Sequence, residues 1–167
     1  MELKKLVYDK LDSMKINYSV INHKALFSRK DTDLTQFNDN VVIGKNLFLR
    51  NHNKNKYYLI ILPLLKQVNL KELAIKLDEK RFSFANETEL DEYLKITPGS
   101  VSYLNVISAE KLGGDFKNVT YIIDSDLKKS EKIGFHPSDN TATVITGFDS
   151  ILKVFDEYNI EYYIMNL

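Results

Sequence analysis

Apolar residues open the chain at helical spacing. Leu3, Leu6, Val7, Leu11 and Met14 share one face of an amphipathic helix. Tyr18, Val20 and Ile21 follow as a short strand. Residues 22–40 then lose any period and are polar around Ser28-Arg29-Lys30-Asp31, which reads as a long loop, or a loop with a short helix. Residues 46–50 and 57–62 are strand-like runs, and the polar stretch 51–56 between them reads as a hairpin turn. Asn69 with Glu72 and Asn86 with Glu89 carry helix-start spacing. The first opens a helix buried through Leu70, Leu73, Ala74 and Leu77, and the second a helix containing Leu90, Tyr93 and Leu94. Thr97-Pro98-Gly99-Ser100 is a turn, because proline presets its own φ and glycine accepts a positive one. Gly113-Gly114 reads as another turn. Residues 119–123 and 141–146 predict strands, 126–131 a short polar helix, Asp149 or Ser150 the start of a helix through Ile151, Leu152 and Phe155, and 160–165 a terminal strand. Helices and strands mix without a βαβ rhythm, so the fold class is α+β, with a mixed sheet in a single compact domain over 1–167.

Composition narrows the picture. A chain of 167 residues, 44% hydrophobic and 28% charged, can bury a core of its own. The absence of cysteine excludes disulfides, thiolate zinc sites and a cysteine nucleophile. No apolar signal core follows Met1, and the longest apolar run, 57–65, is too short to cross a bilayer as a helix. The expectation is a cytoplasmic protein with no membrane partner. Twenty-three basic residues balance twenty-three acidic ones. That argues against wrapping a long nucleic acid and leaves open contact with the end of an RNA.

Three polar segments at strand edges carry the candidate chemistry. Lys45 sits between Gly44, which permits close approach, and an apolar strand; an ammonium there suits a phosphate or a polarised carbonyl. Residues 98–102 can present consecutive amides to an anion or a developing oxyanion. His136, held extended by Pro137, has Phe135 on one side and Asp139 and Asn140 on the other, and can accept a proton or position a hydroxyl. The bland alternatives are a solvated lysine, a plain turn and a structural histidine. His23, His52 and His136 lack metal-ligand spacing, and no P-loop or dinucleotide fingerprint occurs. Ser102, His136 and Asp139 could form a triad on paper, but nothing around Ser102 resembles a nucleophile elbow. Lys54, Lys56, Lys128, Lys129 and Lys132 read as solvated surface.

In combination, several strings resemble the YbaK and prolyl-tRNA-synthetase-associated editing domain family, in particular its freestanding prolyl-tRNA editing members. They are Gly44-Lys45-Asn46-Leu47-Phe48-Leu49-Arg50, the 57–63 strand, Val68-Asn69-Leu70-Lys71-Glu72-Leu73-Ala74, Arg81-Phe82-Ser83-Phe84-Ala85, Thr97-Pro98-Gly99-Ser100-Val101-Ser102, and Gly134-Phe135-His136-Pro137 with Asp139-Asn140-Thr141-Ala142-Thr143. The resemblance implies a curved mixed sheet flanked by helices, with a cleft for the 3′-terminal adenosine. It implies hydrolysis of mischarged aminoacyl-tRNA, with alanyl-tRNA for proline as substrate, and no cofactor or metal. Lys45 then corresponds to the family's essential lysine and Gly99, Ser100, Val101 and Ser102 to its catalytic loop. Asn46, Phe27, Thr97, Tyr103, His136, Asn140 and Thr141 are expected to bind substrate. The implied partners are the tRNA acceptor 3′ end carrying a small amino acid, and prolyl-tRNA synthetase. Alternatives are the same chemistry on cysteine- or serine-charged tRNA, or a non-catalytic sensor of charged tRNA. One departure stands out: Tyr103 occupies the position of the family's loop proline, and Leu104-Asn105 replace an apolar residue and a glycine. A tyrosine there adds an amide donor and loosens a torsion.

Overall fold

Two apolar clusters form on opposite faces of one mixed sheet. The computed structural model describes residues 2–25, 37 and 40–167, so Phe27 and most of the polar segment 22–40 lie outside the described residues. In chain order the elements are α1 (Leu3–Ser13), β1 (Ser19–Asn22), β2 (Val41–Asn51), β3 (Tyr57–Pro63), α2 (Leu70–Lys76), β4 (Phe82–Phe84), α3 (Glu87–Leu94), α4 (Asn105–Leu112), β5 (Val119–Asp124), β6 (Lys132–Phe135), β7 (Ala142–Thr146), α5 (Phe148–Glu157) and β8 (Tyr162–Met165). Short 3-10 turns at Phe116–Asn118 and Ser125–Lys129 flank β5. The expected α+β class with a mixed sheet is what forms.

The strand order is β1-β7-β6-β2-β3-β5-β8, with β4 also paired to β2. β2 is the hinge of this arrangement. Its start runs parallel to β6, its middle pairs antiparallel with β3, and its end takes β4. Alternation along β2 sends successive side chains to opposite faces. Val42 and Phe48 join the larger cluster, with Phe135, Val144, Tyr103 and the buried faces of α1, α4 and α5. Leu47 and Leu49 join the smaller one, with Tyr58, Ile60, Leu62, Ile122 and Leu73 of α2.

Local signals explain most of the helices. The Asn69 side chain accepts from the amides of Lys71 and Glu72. Asn86 and Glu89 form a complete capping box, and Glu89 also pairs with Arg50 at 2.5 Å and accepts from the Tyr57 hydroxyl. The short polar helix expected at 126–131 forms as the 3-10 turn Ser125–Lys129. Three elements had no counterpart in the sequence pattern: β4, β6 and α4.

Candidate active site

The site grows from the place where β2 and β6 separate. Their last paired residues are Ile43 and Gly134. One step further, Phe135 lies over Gly44, so closely that a methyl on Gly44 would sit 2.1 Å from its ring. The next residue of β2 is Lys45, and the residue that follows β6 is His136. The pleat turns Lys45 to the face opposite the Phe135 ring, the face that also carries Ile43, Thr143 and Ile145.

His136 and His23 meet on that side, with ring centroids 5.9 Å apart. The Nδ1 of His136 lies 3.0 Å from the Ala142 carbonyl oxygen. A carbonyl only accepts, so Nδ1 carries the proton and Nε2 keeps a lone pair. Burial pulls the His136 pKa below the ordinary imidazole value, and nearby His23 acts in the same direction; the Ala142 carbonyl and Asp139 oppose it. His136 is therefore a neutral acceptor near neutral pH. His23 is held at both nitrogens: Nδ1 donates to the Lys24 carbonyl (2.8 Å), and Nε2 lies 2.9 Å from the Thr143 hydroxyl oxygen.

The second part of the site is the loop after Pro98. Gly99 is exposed with φ 90°. The Ser100 amide donates to the Thr97 carbonyl at 3.3 Å, and the Ser102 amide to Asn105 Oδ1 at 2.7 Å. The amides of Gly99 and Val101 make no hydrogen bond among the described residues. Asn105, at the start of α4, also donates from Nδ2 to the Ser100 carbonyl (3.1 Å) and to Ser138 Oγ (3.0 Å). Ser138 lies in the turn that follows His136, so this one side chain joins the loop to the histidine turn.

Residues 35–154 match the family model described as the aminoacyl-tRNA editing domain. The chain belongs to that family. It is 32% identical over 154 residues to the prolyl-tRNA editing protein ProX of Acetoanaerobium sticklandii, spanning 92% of this chain and 91% of that protein. It is 28% identical over 171 residues to the mouse prolyl-tRNA synthetase associated domain-containing protein 1, spanning 93% of this chain and 98% of the relative. The solved structure of a candidate trans-editing enzyme for prolyl tRNA synthetase superposes with a TM-score of 0.72 at 14% identity, over all of this chain and 97% of that one. At that identity the likeness shows the fold.

In this editing domain the expected site residues divide. Asn105 and Ser138 bring the Gly99 loop and the His136 turn together, while β2 carries Lys45 on the face that holds Ile43 and Thr143. Asn46 does not accompany Lys45: the pleat turns it to the opposite face, where its Oδ1 is sealed without a hydrogen-bond partner among the described residues. Tyr103 corrects the expectation most clearly. It is fully buried, edge-on to Phe135 at 5.0 Å and to Phe155 at 6.2 Å, and so belongs to the core rather than to a substrate surface. Its hydroxyl finds no well-formed hydrogen bond, and burial pushes its pKa up to about 12, which keeps it neutral. The Thr141 hydroxyl donates to Asp139 (2.5 Å) and accepts from Lys4 (3.0 Å), so it braces the turn. Thr97 is exposed at the start of the loop and Asn140 half-buried in the turn. Phe27 lies outside the described residues.

Sequence reasoning missed Asn105, Ser108, Ser138, His23 and Thr143. Asn105 reads only as a departure from the family's glycine, and the serines carry no local signal. Among the described residues no group of three His, Asp or Glu side chains could hold a metal ion, and no helix is long and apolar enough to cross a membrane.

Proposed function

We propose that this editing domain hydrolyses the ester of mischarged aminoacyl-tRNA, with alanyl-tRNA for proline as its substrate. The observation that supports this is the pair of hydrogen bonds by which Asn105 joins the Gly99 loop, with its two unengaged amides, to the turn that follows the neutral His136. Water attacks the ester carbonyl. The amides of Gly99 and Val101 receive the developing oxyanion, a role expected of all four loop amides until those of Ser100 and Ser102 proved to be engaged within the loop. Lys45 anchors the terminal phosphate or the substrate carbonyl. The Nε2 of His136 accepts from a ribose hydroxyl or the attacking water. The carbonyl carbon–ribose oxygen bond then breaks, the ribose oxygen takes a proton, and free amino acid leaves with intact tRNA.

Exclusion of bulk would select alanine as the acyl group. A single methylene discriminates by only about 1–3 kcal/mol, so a small pocket that rejects larger side chains is the workable strategy. Prolyl-tRNA synthetase is the partner that would supply the mischarged substrate. The sensor reading rested on a loop loosened at Tyr103, and the burial of that side chain removes its motive.

The test is single-turnover hydrolysis of alanyl-tRNA for proline, beside cysteinyl- and seryl-charged tRNA, with Lys45→Ala as control. Removing the charge is expected to slow alanine release by about 10²-fold or more, on the scale of one lost electrostatic contact to the transition state. Equal rates for the two proteins would remove Lys45 from the mechanism. Faster release of cysteine or serine would reassign the substrate.

A further inference from the structure

We propose that Asn105 and Ser138 form a clamp that positions the Gly99–Ser102 loop against the His136 turn; the proposal rests on the deacylase reading and says how that site is held. The hydrogen bonds close on themselves. Asn105 Oδ1 accepts from the Ser102 amide, and its Nδ2 donates to the Ser100 carbonyl and to Ser138 Oγ. Ser108 Oγ lies 3.2 Å from the Asn105 carbonyl, to which it can only donate, and 2.8 Å from Ser138 Oγ. The directions follow: Asn105 Nδ2–H to Ser138, Ser138 O–H to Ser108, Ser108 O–H to the Asn105 carbonyl. Asn105, Ser108 and Ser102 are fully buried and Ser138 is 2% exposed. Asn105 thus has its acceptor and both donors matched, which neither a carboxylate nor an apolar side chain of the same shape could do.

Two observations mark the cluster as a positioning device rather than filler. The clamp grips the Ser100 carbonyl and the Ser102 amide, the groups on either side of Val101. The direction of the Val101 amide is therefore fixed by Asn105. The other end of the clamp falls two residues after His136, so one connection sets the oxyanion donors relative to the imidazole. Ser138 also holds φ 62°, a left-handed conformation that glycine accepts far more readily than serine. The hydroxyl is what a glycine there would lack, and it is the atom that receives Asn105.

That backbone conformation supplies a clean test. Ser138→Gly removes the hydroxyl while relieving the backbone, so relief of the left-handed conformation partly offsets the lost hydrogen bonds and its melting temperature is expected to fall less than that of Asn105→Ala. Its kcat for alanyl-tRNA is expected to fall about tenfold to a hundredfold, with KM changed far less, because small misplacements of oriented groups cost this much. Hydrogen exchange at the Ser102 amide should speed up in the same variant. Asn105→Ala should give the same kcat loss together with a lower melting temperature. Unchanged kcat and unchanged Ser102 exchange in Ser138→Gly would overturn the clamp, as would a kcat loss with no change in loop exchange. Should the unmodified protein release no amino acid from any charged tRNA, the deacylase reading falls, and Ser102 exchange alone then decides whether the loop is held this way.

Discussion

His136 ties the chemistry of the site to its stability through one proton. In the folded protein burial holds its pKa below the ordinary value of 6.5, whereas the unfolded chain has no such burial. The unfolded state therefore binds the proton more strongly between the two values. The sign is fixed: this residue's contribution is fully present above pH 6.5 and is lost as pH falls through the lower, folded value. The groups around it agree with that direction. His23 adds a second imidazole 5.9 Å away, and Asp139 only partly offsets the burial. Thermal melts from about pH 8 to about pH 5 should show a decline on the acid side that is shallower in His136→Gln. Hydrolysis should follow the same proton, rising with pH to a plateau once Nε2 is unprotonated. A variant that declines as steeply as the parent would take His136 out of the acid sensitivity. Tyr103 shows the opposite fate for a residue beside the loop: its ring packs edge-on against Phe135 and Phe155 and serves the core.

The pairing of β2 with β6 decides where Lys45 ends up, and it depends on Gly44. The Phe135 ring fills the space a side chain at 44 would need, at 2.1 Å. Gly44→Ala must push the ring or separate the strands. Overpacking of this kind typically costs about 1–3 kcal/mol, which in a domain of this size lowers the melting temperature by about 2–4 °C per kcal/mol. Trimming the ring with Phe135→Leu in the Gly44→Ala background should recover part of that loss; a double variant no better than the sum of the single ones would show that the ring is not the obstacle. The same two strands show what was legible in the sequence. The hairpin of β2 and β3 and the Asn86–Glu89 box were legible, because alternation and capping are local. β6 was not: a glycine inside the four-residue run Lys132-Ile133-Gly134-Phe135 weakens the strand pattern. In the sheet that glycine is required, since a side chain there would strike Thr143 at 2.8 Å and Ile43 at 3.0 Å. α4 was hidden for another reason. Residues 105–109 are all buried, so no polar face marks a helical period. Lys45, Gly99 and His136 were legible as candidates from their strings. The clamp was not, because Asn105 and Ser138 are 33 residues apart and only tertiary folding brings them together.

Charge at the scale of the whole molecule limits how this protein can hold RNA. Its 23 basic and 23 acidic residues cancel. Several cations are also engaged within the fold: Arg50 with Glu89, Lys10 with Glu157, and Lys66 with both Asp124 and Asp126. This balance of charge favours recognition concentrated on the terminal nucleotides and the acyl group over a grip along a duplex. Salt dependence measures that difference. Each phosphate contact on a single strand contributes a slope of about −0.7 to a plot of log affinity against log salt concentration. Two or three contacts around Lys45 give about −1.4 to −2.1, which is a loss of about 7- to 20-fold between 50 and 200 mM salt. Fluorescence anisotropy with a non-hydrolysable alanyl minihelix would read the slope directly. A value steeper than about −5 would mean that the protein grips the acceptor stem along its length, and the concentration of recognition at the 3′ end would have to be abandoned. The Lys45→Ala protein sharpens the reading, because a lysine bound to the terminal phosphate should take about 0.7 from the slope when removed. A lysine that instead polarises the ester carbonyl should leave the slope as it was while the rate falls, so one pair of titrations separates the two roles proposed for it.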